Sequence, residues 1–209
     1  IKLSGIIPGE NIFKLDIQKV KDNLLSNPYI SVEKVERKLP DTILIGIHER
    51  KPSAVIEYMG SYITLDIEGY ILDIQKRLGE DRYPIVRGMK VNSFLIGQRM
   101  QSSDPYQVKV LGEILAQVYG HDAANMLSEI NIEDPMNVYF ISREGLKVKI
   151  GQTTDIAKKI IWMKEVVPEL QKEGKTSGVL DITTGTCASY KVDETIPEEE
   201  EVTSEDSSN

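Results

Sequence analysis

Within its first fifty residues the chain changes its apolar period, and that switch constrains the fold more than any other feature. Ile17, Val20 and Leu24 fall three and then four residues apart, the stripe of a helix, with Asp16 placed to cap it and Asn27-Pro28 to stop it. Ile43, Ile45 and Ile47 then alternate, which buries one face of a strand. Between the two, residues 29–39 are rich in Ile and Val with charged alternates, and Pro40-Asp41 suits the central positions of a type I turn. Ile1-Lys2-Leu3-Ser4 also alternates and reads as the end of a strand broken by Gly5 and Pro8-Gly9. The expected order is strand, helix, strand, strand, one small domain over residues 1–52 with a truncated first strand.

From residue 53 to 192 a second, larger domain is expected. Val55-Ile56 and residues 62–65 read as strands, and a turn through Asp66-Ile67-Glu68-Gly69 leads into Tyr70-Ile71-Leu72. Asp104 as cap, Pro105 at the first helical position and the stripe Val108, Leu111, Leu115 and Val118 predict a helix ended by Gly120. Residues 137–141 and 146–150 predict a hairpin across Ser142-Arg143-Glu144-Gly145. A second helix starts near Thr154 or Asp155, with Ile156, Ile160, Met163, Val167 and Leu170 on one face. Pro168 is expected to kink or break it, since proline lacks the interior N–H. Two short strands follow, over 178–183 and 187–192. Residues 73–103 and 122–136 receive no element. The fold class is α+β: a small strand-helix-strand-strand unit, then a mixed unit with two longer helices and an antiparallel sheet.

Charge separates body from tail. The net charge is −8, but residues 193–209 carry eight carboxylates and no Lys or Arg. Taking those eight from the 33 acidic residues leaves 25 against 25 basic ones, so the body is neutral. A neutral body argues against nucleic acid as a partner, because a phosphate backbone selects a basic face. The tail has almost nothing apolar to bury and is expected to be disordered. No apolar run approaches the ~20 residues of a membrane span.

Several fragments imitate catalytic motifs. Gly174-Lys175-Thr176 resembles the end of a phosphate-binding loop, but Glu169 occupies the upstream glycine position and a helix precedes it where a strand is needed. Ser31-Val32-Glu33-Lys34 matches the Ser-x-x-Lys of penicillin-binding enzymes, with Lys175-Thr176-Ser177-Gly178 near their Lys-Thr-Gly. That chemistry needs Ser and Lys on one helical turn, and here the stretch enters a strand. His48 points away from the face of Ile43, Ile45 and Ile47, His121 follows the helix-ending Gly120, and Cys187 has no paired histidine by sequence. Two histidines and one cysteine make a metal site or an internal disulfide unexpected. The chain reads as a non-enzyme without cofactor or metal.

The run Asn27-Pro28 … Val35, Arg37, Leu39-Pro40, Ile43, Ile45, Ile47, Glu49-Arg50, Pro52 and Ala54 resembles the POTRA domain of the bacterial cell-division DivIB/FtsQ family. Gly5 and Asn11-Ile12-Phe13 fit that family's first loop. Tyr62-Ile63-Thr64-Leu65-Asp66 with Gly69 fits the start of its second, β domain; Val148-Lys149-Ile150-Gly151, Lys159 and Leu180-Asp181 fit further on. The resemblance covers nearly all of residues 1–192, and the tail looks like the variable extension of Gram-positive members.

The resemblance implies a single-pass protein of the cell membrane at the division septum, anchored by a segment that this chain lacks, with the present fragment extracytoplasmic. It implies a non-enzymatic scaffold that binds FtsL and DivIC (FtsB in Gram-negatives), with septal peptidoglycan synthases as further partners, and helps regulate septal peptidoglycan synthesis. In relatives FtsB adds a strand to the last strand of the β domain. The corresponding stretch is Cys187, Ala188, Ser189, Tyr190 and Lys191, with Tyr190 either anchoring the partner or covering its own sheet. The strand over residues 30–38 is a second exposed edge, whose charges also suit plain edge protection. Two rival readings are a POTRA module of a secretion or outer-membrane assembly system, which would need repeats or a barrel, and a peptidoglycan-modifying enzyme built on Ser31.

Overall fold

A computed structural model describes residues 2–79 and 83–192. The acidic tail lies outside these residues, as does Ile1. In place of the expected strand end, Lys2 to Gly5 form a turn closed by the Gly5 N–H on the Lys2 carbonyl. Gly5 adopts φ +72° there, and the Asn23 side chain donates to the Ser4 carbonyl at 3.1 Å, tying the turn to the following helix.

That helix, α1 (Ile17–Leu25), begins where the Asp16 carboxylate accepts the N–H groups of Gln18 and Lys19, and it buries Val20 and Leu24. It packs on β1 (Ile30–Lys38), which pairs antiparallel with β2 (Thr42–Glu49) from Lys38↔Thr42 to Ile30↔Glu49. The Leu39–Pro40 peptide in the turn between them is cis. Arg37 of β1 donates to the carbonyls of Ile12 and Leu15 at 3.0 and 2.5 Å and so holds the segment entering α1. Among the described residues, β1 packs chiefly on its chain neighbours α1 and β2.

The larger unit runs β3 (Pro52–Tyr58), β4 (Ser61–Asp66), β5 (Ile71–Gln75), β6 (Ile85–Arg87), β7 (Val91–Ser93), β8 (Gln101–Ser102), α2 (Pro105–Gly120), β9 (Leu127–Asn131), β10 (Val138–Ser142), β11 (Lys147–Gly151), α3 (Ile156–Lys172), β12 (Val179–Asp181) and β13 (Ser189–Lys191). Apart from the small β7–β8 ribbon, these strands form one nine-stranded sheet in the order β13-β12-β11-β10-β9-β6-β3-β4-β5. The α+β class is as expected, and most pairings are antiparallel. The pairings β3–β6, β6–β9 and β11–β12 are parallel, which an all-antiparallel sheet did not include. Two of these pairs arise because β6 and β9 are inserted from distant sequence into the middle of the sheet, and the third because the chain crosses from β11 to β12 through α3.

Helices α2 and α3 lie on one face. Leu111, Leu115 and Val118 of the expected α2 stripe are buried, joined by Val110 and Ile114, while Val108 sits at the rim. All five expected α3 positions are buried. They meet Ile56, Ile63, Val86, Ile130, Phe140, Val148 and Leu180 from seven strands. Pro168 does not break α3, which continues to Lys172. Only one backbone bond is forfeited so near the helix end, and buried Val167 and Leu170 hold the turn on either side. The helix closes at Gly174, φ +74°, with Lys175 N–H donating to the Leu170 carbonyl.

Two buried side chains fasten the helices to the sheet. Gln107 of α2, fully buried, accepts the Lys90 N–H at 3.0 Å and donates to the carbonyls of Gly88 and Ile132 at 2.8 and 2.9 Å. Lys159 of α3 donates to the carbonyls of Ile150 and Gln152 at 2.9 and 2.8 Å. On the exposed face, Arg87 bridges Glu57 and Glu129 at 2.6 and 2.8 Å across three adjacent strands.

Candidate partner-binding edge

β13 is the last strand of the nine-stranded sheet, and among the described residues nothing pairs with its far side. It opposes β12 in the register Val179↔Lys191, Leu180↔Tyr190 and Asp181↔Ser189. Which of its amides face outward follows from the other edge of β12. There the Gly178 carbonyl accepts from Lys147 N–H, and Ile182 N–H reaches the Lys149 carbonyl, both at 3.1 Å. Backbone polar groups alternate sides along a strand, so Val179 and Asp181 turn theirs toward β13. Their partners Lys191 and Ser189 therefore face inward, and Tyr190 presents its N–H and C=O at the open edge.

The side chains alternate the other way. Ser189 and Lys191 are exposed or at the rim, and Ala188 packs against the core. The Tyr190 hydroxyl donates to the Ser177 carbonyl at 2.5 Å, and its ring lies 5.6 Å from the Lys175 ammonium, itself paired with Glu173 at 2.6 Å. Gly178 sits beneath the ring: a Cβ there would stand 3.0 Å from the ring edge and 2.5 Å from the Lys191 carbonyl. Tyr190 thus covers its own sheet with its side chain and offers its backbone outward. Cys187 is an exposed free thiol 3.5 Å from the Thr184 hydroxyl.

Beside this edge the open sheet face carries Lys147, Lys149 and Lys191 around one carboxylate, Asp181. Asp181 accepts the Thr183 N–H and hydroxyl at 3.0 and 2.8 Å. The Thr183 backbone bond first, with Lys149 and Lys191 adding attraction, holds its pKa below the ordinary value. Lys147 lies 4.0 Å over the Tyr139 ring. Beneath the loop leading into β13, the buried Lys159 stem passes 3.7 Å from where a Cβ on Gly185 would stand. Burial lowers the Lys159 pKa, with Asp155 opposing. Lys159 stood out in the sequence only through the family resemblance; its anchoring role is visible in three dimensions alone.

The catalytic lookalikes fall apart. Ser31 and Lys34 lie on strand β1 around a bulge, Ser31 opposite His48 and Lys34 ion-paired with Glu36 at 3.9 Å. Exposed His48 lies 3.4 Å from Glu33. The His121 backbone caps α2, and its carbonyl accepts from Lys164. Lys175 and Ser177 serve the contacts around Tyr190 instead. Among the described residues no cluster of His, Cys, Asp and Glu could hold a metal ion.

Residues 1–50, which hold α1 and the β1–β2 pair, match the model of the FtsQ-type POTRA domain. DivIB of Clostridium tetani is 28% identical over 186 residues, 88% of this chain and 69% of that protein. FtsQ of Syntrophotalea carbinolica is 26% identical over 174 residues, 82% of this chain and 60% of that protein. DivIB of Clostridium botulinum strain Hall is 22% identical over 180 residues, covering 86% and 70%. The chain thus spans between 60% and 70% of the length of these relatives. The solved major extracytoplasmic domain of the trans isomer of DivIB from Geobacillus stearothermophilus aligns with a TM-score of 0.39 and 14% identity, over 59% of this chain and 92% of that one. The chain is thus similar, over most of its length, to bacterial cell division proteins named DivIB and FtsQ.

Proposed function

We propose that the chain is the extracytoplasmic part of a single-pass, non-enzymatic scaffold of the division septum, with a POTRA domain over residues 1–52 and a β domain over 53–192. Its open β13 edge receives a strand from DivIC (FtsB in Gram-negatives), in one assembly with FtsL, and through it the protein helps regulate septal peptidoglycan synthesis. The observation that carries this reading is the geometry of β13: an unpaired edge strand whose Tyr190 amide and carbonyl face outward. Relatives named as cell division proteins supply the setting. No helix among the described residues is long and apolar enough to cross a bilayer.

The test is calorimetric titration with the co-expressed ectodomains of DivIC and FtsL at two salt concentrations. Tyr190→Pro deletes the outward N–H, whereas Tyr190→Phe deletes only the hydroxyl bond to Ser177. With folding checked by circular dichroism, Tyr190→Pro is expected to weaken binding by about tenfold or more, and Tyr190→Phe to change it little. Unchanged binding by Tyr190→Pro would move the interface away from β13, and no binding by the parent would remove the partner assignment.

A further inference from the structure

Only Arg50 and Lys51 separate the N-terminal hairpin from the nine-stranded sheet. Arg50 belongs to both. Its N–H donates to the Tyr29 carbonyl at 2.8 Å, which ties its backbone to the start of β1. Its side chain runs the other way into the turn between β4 and β5. There one terminal nitrogen lies 2.5 Å from Asp66 and 3.1 Å from Glu68, and the guanidinium stacks 3.5 Å over the Tyr70 ring.

The receiving site is built and rigid. The Arg50 side chain is 10% exposed and that of Asp66 4%. The second Asp66 oxygen accepts the N–H groups of Glu68 and Tyr70 at 2.9 and 2.8 Å, so the carboxylate cannot follow a departing guanidinium. Arg99 stands 5.7 Å from the Tyr70 ring and donates to the Glu68 carbonyl at 2.9 Å, bracing the turn from behind. Burial works against the charge of Arg50, but the hydrogen bonds to Asp66 and Glu68 outweigh it and raise its pKa. A cleft of about 590 Å³ opens between Ser31 and His48 on one side and Ser53 and Tyr119 on the other.

We propose that Arg50 is an orientation lock: its insertion between Asp66, Glu68 and Tyr70 sets the angle between the N-terminal unit and the sheet that ends in β13. Any swing about residues 50–52 must withdraw the guanidinium and strand a buried carboxylate, so the protein moves as one lever while the lock is closed. This holds whatever binds at β13, and it fails or stands independently of the partner assignment.

The chain's one cysteine supplies half of the test. Cys187 is exposed and follows β12, and Lys21→Cys adds a second label on the outer face of α1. With nitroxides at both, pulsed electron-spin distance measurement on the parent should return one narrow distribution. Arg50→Met should roughly double its width, with far-ultraviolet circular dichroism and Trp162 fluorescence unchanged. Arg87→Met, which removes an equally paired arginine inside the sheet, should leave the width as in the parent. Tyr70→Leu keeps the ion pair, removes the stacking platform and should give intermediate broadening; it carries the test if Arg50→Met does not fold. A broad distribution in the parent, or an unbroadened one in the folded Arg50→Met protein, overturns the lock.

Discussion

Replacing Gln107 with Met should destabilise the larger unit severely while leaving every apolar contact of α2 in place. The side chain is fully buried and satisfies three backbone groups: the Lys90 N–H and the carbonyls of Gly88 and Ile132. Methionine matches its length and offers none of these bonds. The buried Ile132 carbonyl left unpaired costs about 1–3 kcal/mol and the two part-buried bonds contribute about 1 kcal/mol each, so the loss should reach about 3–5 kcal/mol. For a chain of this size that lowers the melting temperature by about 6–20 °C. Urea unfolding followed by Trp162, the chain's one tryptophan, reads the change from α3 in the same core. Gln107→Glu is the second arm. It sets an oxygen against two carbonyls unless protonated, so that variant should be more stable at acidic than at neutral pH. A loss below about 1 kcal/mol for Gln107→Met would refute the reasoning, because the three groups would then have other partners.

Two further outcomes are expected. Gly178 has φ +119°, and an added Cβ would lie 2.5 Å from the Lys191 carbonyl, so Gly178→Ala should push β13 off β12. Partner binding should be lost with little change in Trp162-monitored unfolding, and retained calorimetric binding would count against the edge. Tyr119 donates to the Ser53 carbonyl at 2.7 Å, and burial, then the neighbouring Tyr83, raises its pKa from 10.0 to about 12. The folded protein holds this proton after the unfolded chain has lost it. The contribution is therefore complete below pH 10 and disappears as the pH climbs toward about 12. Ultraviolet titration should show one late tyrosinate that Tyr119→Phe removes, together with a shallower alkaline loss of stability; an unaltered profile would contradict the assignment.

Long periods were legible and short inserted strands were not. The α2 and α3 stripes could be read residue by residue, because a helix of four turns repeats its apolar signal often enough to define a face. β6 offered three residues between Pro84 and Gly88, and β9 only five, with Leu127 and Ile130 buried out of strand alternation. Neither carries a period, and their parallel partners lie tens of residues away. The edge strand itself could be read as a strand. Which of its amides face outward depends on how β12 pairs with β11, a long-range fact absent from local pattern. Tyr190 stood at two readings for the same reason, since the Ser177 carbonyl that turns its hydroxyl inward belongs to another loop. Arg50 stands out in the sequence only within the run that resembles the POTRA domain, and its partner Asp66 becomes one through the β3–β4 hairpin.

The order of strands across the sheet also dictates an order in time. β3 leaves the junction early in the chain, yet one of its neighbours is β6, and β6 in turn needs β9, which ends at Asn131. Non-local parallel pairings of this kind are slow to close, whereas the α1–β1–β2 unit is built from contacts between consecutive elements. A chain emerging amino-terminus first can therefore complete the small unit while the sheet still waits for its centre. β12 and β13 are added to the flank last, so the open β13 edge is completed only when almost everything else is in place. Pulse-labelled hydrogen exchange during refolding should find the Leu180 and Ser189 amides protected after those of β1 and β2.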